Sequence, residues 1–353
     1  MESFAFWYKE RENESGVSVS DESGELAAHV HFNLWCECGW KKEKEHLQGT
    51  DYPYLDIGFR VKRLSKAQAL FFFLPFSITE AKKMQCIEDL GRKFLENALL
   101  ADALFNDSHH VTISANKKEI DVRCTSKDDH FKIYQLDIVN DISLEAFGEG
   151  TILEIKTGRI LSNMDESEQE SDYYFRFRIK NQPLDFLIHR YKPPTGVIQG
   201  LFNTTYMIDF RYHNIRGLHN TLVERFHEKL NHPVPVQQLH FFLMTKAYVD
   251  VSNTNFKVRK IEQDVWKDYV DGLDTEDLVA YHYADKPKTE SNSKYIDSSE
   301  LFAKFRVEQQ VIWRYVLITL GLGAVGSLLG SSILALKDII WQLICKFLLT
   351  PPT

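Results

Sequence analysis

Three side chains able to move a proton or hold a phosphate stand at alternate positions in Asp209-Phe210-Arg211-Tyr212-His213-Asn214-Ile215-Arg216-Gly217. Successive side chains of a strand point to opposite faces, so Asp209, Arg211 and His213 are expected to project together. A carboxylate, a guanidinium and an imidazole on one face can act as general acid and base or cradle an anion. The plainer alternative is a salt-bridged surface ladder that ends in a turn at Gly217.

A second alternation, YYFRFRIK over Tyr173–Lys180, sorts two kinds of residue. Tyr173, Phe175, Phe177 and Ile179 fall on one face. Tyr174, Arg176, Arg178 and Lys180 fall on the other, expected to meet solvent. Arg60 and Lys62 repeat the pattern in GFRVKR. In an acidic chain, a basic strand face with a tyrosine suits an anionic small ligand such as a nucleotide or a phosphoinositide-like headgroup. Paired with neighbouring acids, it is an ordinary surface face.

Three further motifs lack the context their chemistry needs. His29, His31, Cys36, Cys38 and His46 crowd one stretch. Strand alternation puts the two histidines with Asn33 and Trp35, and the two cysteines with Val30, Phe32 and Leu34. The thiols are therefore expected in a core, the imidazoles outside it, and no metal site between them. His227-Glu228-Lys229-Leu230-Asn231-His232 resembles the zincin helix motif, but its histidines are five apart rather than four and Pro233 follows. Gly321-Leu322-Gly323-Ala324-Val325-Gly326 matches G-x-G-x-x-G, yet only twenty-seven residues follow it. No second strand ending in an acid lies there, as a dinucleotide-binding unit requires, so no cofactor is expected.

The elements that would position these residues follow from period and punctuation. Leu26–Trp40, Tyr54–Lys62 and Ala69–Pro75 read as strands, the last nearly all apolar and so buried on both faces. Ser77-Ile78-Thr79-Glu80 reads as a capping box. It opens one long helix near residues 78–105, with Cys86, Leu90, Phe94, Leu95, Ala98 and Leu99 at helical spacing. Strands are expected at Val111–Ser114, Ile120–Cys124, Phe131–Ile138, Thr151–Thr157, Tyr173–Lys180, Tyr206–Tyr212, Gln237–Val249 and Phe256–Glu262. The fold class is α+β. A strand-rich domain over 1–162 is followed, after the acidic loop Asn163–Asp172, by a second domain or a continuation of the first over 173–284, then a polar linker at 285–297.

The C-terminal region carries the strongest signal. Residues 315–336, YVLITLGLGAVGSLLGSSILAL, are twenty-two residues without a charge. As a helix they would be roughly 33 Å long, against a hydrocarbon core of about 30 Å. Arg314 and Lys337 bracket the run, and Trp313, Tyr315 and Trp341 sit where interfacial aromatics are expected. Gly323, Gly326, Ser327 and Gly330 form a small-residue stripe that allows close helix packing, hence a homo-oligomer in the lipid bilayer. Asp297-Ser298-Ser299-Glu300 reads as another capping box, opening a stalk helix at 298–314. The tail 337–353, with IIWQLICKFLL, reads as an interfacial helix.

Met1–Gly16 lacks a basic n-region and a long apolar run, so no signal peptide is expected and the large N-terminal part is placed in the cytosol. Five cysteines in no framework spacing agree with a reducing compartment. The net charge is −8 at pH 7. Basic residues dominate 304–353, which leaves the remainder still more acidic and unsuited to general nucleic-acid binding. The expected function is a single-pass membrane sensor or effector with a cytosolic domain that binds a ligand or protein partner. The alternative is a membrane-tethered enzyme acting through Asp209, Arg211 and His213. The layout, a cytosolic recognition domain on a short C-terminal anchor, resembles some bacterial membrane effectors of anti-phage defence.

Overall fold

The computed structural model describes residues 2–12, 25–36, 53–114, 118–162, 171–182, 184–191, 203–252, 255–270, 275–287, 293–308 and 312–348. The chain forms two compact units, 1–190 with 206–305, and 191–205 with 306–353. The first unit is strand-rich with short helices, and the second contains a long C-terminal helix, so the fold is mixed α+β.

The largest sheet runs, in hydrogen-bonded order, Lys257–Lys260, Leu278–Asp285, Val236–Lys246, Ala27–Trp35, Tyr54–Lys62, Tyr173–Ile179, His130–Tyr134, Glu119–Cys124 and His109–Ile113. A second sheet has the order Asn231–Pro233, Ala5–Glu10, Ala67–Leu74, Gly150–Ile155 and Ile142–Phe147. A third joins Ile188–Tyr191, Asn203–Tyr212, Ser299–Glu308 and Asp250–Ser252. Strands from 1–162 and from 173–284 are interleaved in the largest sheet.

Alternation decides which faces meet. Phe59 of the largest sheet packs on Phe6 and Phe72 of the second, with ring centroids 5.4 Å and 4.8 Å apart, and Phe6 stacks on Phe72 at 3.9 Å. Each fully buried phenylalanine contributes about 1.5–3 kcal/mol. The outer face of the second sheet, with Trp7, Phe73 and Ile152, is covered by Leu218, Leu222 and Phe226. The outer face of the largest sheet is covered by Phe94, Leu100 and Leu104 from two short helices, and by Trp266, Tyr269 and Val270.

Four expectations need correction. The single helix near 78–105 is replaced by short helices at Lys83–Cys86, Gly91–Glu96 and Leu99–Phe105, with the strand Ile87–Asp89 between them. That strand adds to Phe177–Ile179, and Leu90 N–H donates to the Arg176 carbonyl at 2.9 Å. Asp89 then accepts from the N–H groups of Gly91 and Arg92 and starts the next helix. Gly91 passes so close to Tyr134 that a Cβ there would lie 2.6 Å from its carbonyl oxygen.

The expected stalk helix at 298–314 is instead the strand Ser299–Glu308, with Leu301, Ala303 and Phe305 buried and Phe302, Lys304 and Arg306 exposed. This is period two, and Glu300 bonds Asn214 rather than capping a helix. The expected linker carries structure as well, because Ile296 N–H donates to Val236 O at 2.8 Å. At the C-terminus the helix runs unbroken over Ile312–Leu348, so Ile339–Leu348 is its last part and not a separate interfacial helix. Val316–Lys346 is long and apolar enough to cross a membrane, and none of it is buried in the protein. Cys38, His46, residues 163–170 of the acidic loop, and Pro351 and Pro352 lie outside the described residues.

Candidate functional site

Register on the largest sheet brings together histidines that are far apart in sequence. His31 lies opposite His240 in the parallel pair Ala27–Trp35 with Val236–Lys246, and opposite Gly58 on its other side. His282 lies opposite Phe242. Period two therefore sets His29, His31, His240, His282 and Arg60 on one face. The helix Leu99–Phe105 and the strand Lys257–Lys260 complete the walls of a cavity of about 620 Å³, which Lys127, Lys257 and Arg259 also line.

The imidazoles form a chain. His240 Nδ1 lies 2.8 Å from His282 Nε2, and His240 Nε2 lies 3.3 Å from Gln238 Oε1. The amide oxygen only accepts, so His240 carries its proton on Nε2 and accepts at Nδ1 from His282. His29 bonds Gln237 at 3.2 Å. His31 is 8% exposed, and its Nδ1 has no hydrogen-bond partner among the described residues. Burial, reinforced by neighbouring imidazoles and cations, lowers all four pKa values; His31 falls well below its ordinary value, and His240 and His282 fall to about 4. The cluster is neutral at pH 7.

Beneath the cavity lies a fully buried charge network. Arg178 Nε donates to Asp56 Oδ1 at 2.7 Å, and Arg176 Nη2 to Asp56 Oδ2 at 3.3 Å. Arg176 also donates to the hydroxyls of Tyr269 at 2.5 Å and Tyr174 at 3.0 Å. Trp35 Nε1–H and the Tyr269 hydroxyl donate to Asp56 at 2.9 Å and 3.0 Å. Burial alone would raise the Asp56 carboxyl, but Arg178 and Arg176 outweigh it and hold the group below its usual range. Two guanidiniums face one carboxylate, so the network carries one excess positive charge. Gly58 makes room for it, since a Cβ there would collide with the Tyr174 hydroxyl.

The candidate residues from the sequence fare differently. Tyr174, Arg176 and Arg178 are buried rather than on a solvent face. Arg60 lines the cavity and binds Asp129 and Asp172 at 2.6 Å and 2.7 Å. Lys180 pairs with Glu88 at 3.1 Å, and Lys62 is half-buried outside the cavity lining. Asp209 and Arg211 form an ion pair at 2.5 Å, but His213 does not join them. Its φ of 51° turns the chain, and its ring is buried against Phe226, with Nε2 accepting from Phe6 N–H at 2.7 Å. The expected acid–base face is therefore not assembled.

His31, expected outside the core, is inside, whereas Cys36 is buried as expected. Among the described residues no cluster of three or more histidine, cysteine or carboxylate groups is placed to hold a metal. His227 and His232 share no helix, since His232 belongs to the strand Asn231–Pro233. Gly323, Gly326 and Gly330 lie on the exposed helix, where an added Cβ would meet nothing within 4 Å. Sequence reasoning missed His240, His282, Lys257 and Arg259. The signal for the two histidines is alternation in QLHFFLM and YHYAD, the basic pair stands at alternate positions in FKVRK, and just the register shows that they converge. No known family model matches the chain, and no curated protein sequence matches it.

Proposed function

We propose that the protein is a membrane-anchored sensor or effector whose globular unit recognises a ligand in the histidine-lined cavity and whose C-terminal helix acts in the bilayer. The observation that carries this reading is the pairing, in one chain, of a cavity whose buried imidazole nitrogen has no partner among the described residues and an apolar helix that none of the described residues buries. A buried polar atom without a partner costs about 1–3 kcal/mol, a cost that a bound ligand would remove. The enzyme alternative has no such support, because Asp209, Arg211 and His213 do not converge. The layout suits an effector of bacterial anti-phage or stress defence, with the globular unit in the cytosol.

The test is twofold. The full chain is expected to float with liposomes, and a chain ending at Glu308 is expected to stay behind. Charge reversal at the cavity rim, Lys257→Glu with Arg259→Glu, is expected to change Cys345 cross-linking between copies in membranes. Flotation of the shortened chain would remove the anchor. Unchanged cross-linking in the charge-reversed protein would remove the link between cavity and helix.

A further inference from the structure

We infer that the histidine-lined cavity binds a phosphate-bearing anion, either inorganic phosphate or a small phosphate ester, held by His31 in its Nδ1–H form together with Lys257 and Arg259. This inference rests on the cavity being the recognition site.

Four observations converge. The lining holds four cations, Arg60, Lys127, Lys257 and Arg259, against two carboxylates, Asp107 and Asp129. Both carboxylates are already engaged, Asp129 by Arg60 and Asp107 by Lys127 and Ser126. Among the described residues the Lys257 side chain has no hydrogen-bond or ionic partner, and the Arg259 guanidinium bonds only the neutral oxygens of Asn106 and Ala103. Inside, His31 is 8% exposed, and its Nδ1 has no hydrogen-bond partner among the described residues.

Below the cavity floor, the Asp56–Arg176–Arg178 network sets two guanidiniums against its one carboxylate, with Glu88 also acting on Arg178. It reaches the floor through Tyr174, whose hydroxyl binds Arg176 and whose ring lies 5.9 Å from His31. In a low-dielectric interior such a charge acts strongly over short distances. A divalent cation would meet this field and the two rim cations Lys257 and Arg259 as repulsion. An anion with several acceptor oxygens meets them as attraction, and charge-assisted contacts of this kind are the strong ones. The volume of about 620 Å³ exceeds what phosphate alone fills, and the walls beyond the polar floor are apolar at Leu104, Phe105 and Phe242. A phosphate carried on a small organic body fits both halves.

The experiment is calorimetric titration of the full chain in detergent micelles at pH 7 with inorganic phosphate, pyrophosphate, a nucleoside triphosphate and a soluble inositol polyphosphate, with sulfate as the comparison anion. At least one phosphate-bearing probe is expected to bind more tightly than sulfate. Preference for the nucleotide points to a soluble ligand, and preference for the inositol phosphate to a lipid headgroup. In the double variant Lys257→Gln and Arg259→Gln, affinity is expected to fall by about tenfold or more. Both side chains lie on the cavity rim, and an unchanged thermal midpoint without ligand shows that the variant is folded. His31→Phe is expected to weaken binding in the same direction. Absence of binding by every phosphate probe overturns the inference, as does equal affinity in wild type and double variant. If no probe binds while rim charge reversal still alters Cys345 cross-linking, the phosphate falls and the recognition site stands. If both fail, both readings fall.

Discussion

Asp56 is one carboxylate holding two guanidiniums out of water, and its removal leaves both uncompensated. Breaking a buried ion pair from one side costs about 3–5 kcal/mol, because the remaining charge stays desolvated. Asp56→Asn keeps the shape and removes the charge, so it is expected to lower stability by about that amount in urea unfolding of the globular unit. A near-neutral result would mean that Tyr269, Tyr174 and Trp35 suffice for Arg176 and Arg178. His213 makes a different prediction, in pH. Burial lowers its pKa from 6.5 to about 4, although the Phe6 carbonyl oxygen, 2.9 Å from its Nε2, opposes the shift. The unfolded chain takes up a proton near 6.5 and the folded one only near 4, so the stabilisation is present above 6.5 and lost as pH falls through that window. The slope from one such group is about 1.4 kcal/mol per pH unit. Unfolding midpoints measured between pH 6.5 and 4 are expected to fall, and His213→Leu is expected to reduce the slope while lowering the starting stability. An unchanged slope would place the acid sensitivity in His31, His240 and His282 instead.

Ser299–Glu308 shows what period can and cannot tell at the level of elements. Leu301, Ala303 and Phe305 lie at alternate positions and are buried, yet the capping-box pattern ahead of them and the missing Gly and Pro suggested a helix. The tertiary partners decided, because a neighbouring strand, Asn203–Tyr212, offers the backbone bonds and a buried face. The expected consequence is sharp. A chain cut after Asp297 loses a paired strand and three buried side chains, and should be insoluble or unfolded. A chain cut after Glu308 should be soluble with a cooperative melt. Equal behaviour of the two fragments would show that this strand is dispensable. The same reasoning explains the rest of what was legible. Strands with clear alternation or an all-apolar run are legible in the sequence: Tyr54–Lys62 is observed as expected, and the run expected at Ala69–Pro75 forms Ala67–Leu74. The charged face of Tyr173–Ile179 was misplaced because alternation separates two faces without saying which one is covered. Its cover comes from Leu90–Leu104 and Trp266–Val270, distant in sequence. The cavity was illegible for that reason too, since it needs the pairing of four separated strands to put His31, His240 and His282 side by side.

At the scale of the whole molecule, the unbroken C-terminal helix outruns a bilayer. Its 37 residues make about 55 Å at ~1.5 Å each, against a hydrocarbon core of about 30 Å. If the uncharged run up to Leu336 fills the core, the turns beyond Lys337 and Asp338 leave it, and they still expose Ile340, Trp341, Leu343 and Ile344. Apolar side chains outside the hydrocarbon region need a cover, and a tilted helix or neighbouring copies of the same helix would supply one. The small-residue stripe Gly323, Gly326, Ser327 and Gly330 favours copies, because backbones can approach closely where side chains are absent or small. Gly326→Leu with Gly330→Leu adds bulk at that approach without adding charge, so membrane flotation should persist. Cross-linking through Cys345, with Cys36, Cys38, Cys86 and Cys124 replaced, should fall, together with any toxicity on overexpression. Polar contacts between membrane helices are worth only about 0.6 kcal/mol on average, so the loss should be graded and partly recovered at higher protein-to-lipid ratio. If the double variant cross-links like wild type, the helix is a tether, its exposed turns are covered by lipid, and whatever the protein does is done by the globular unit alone.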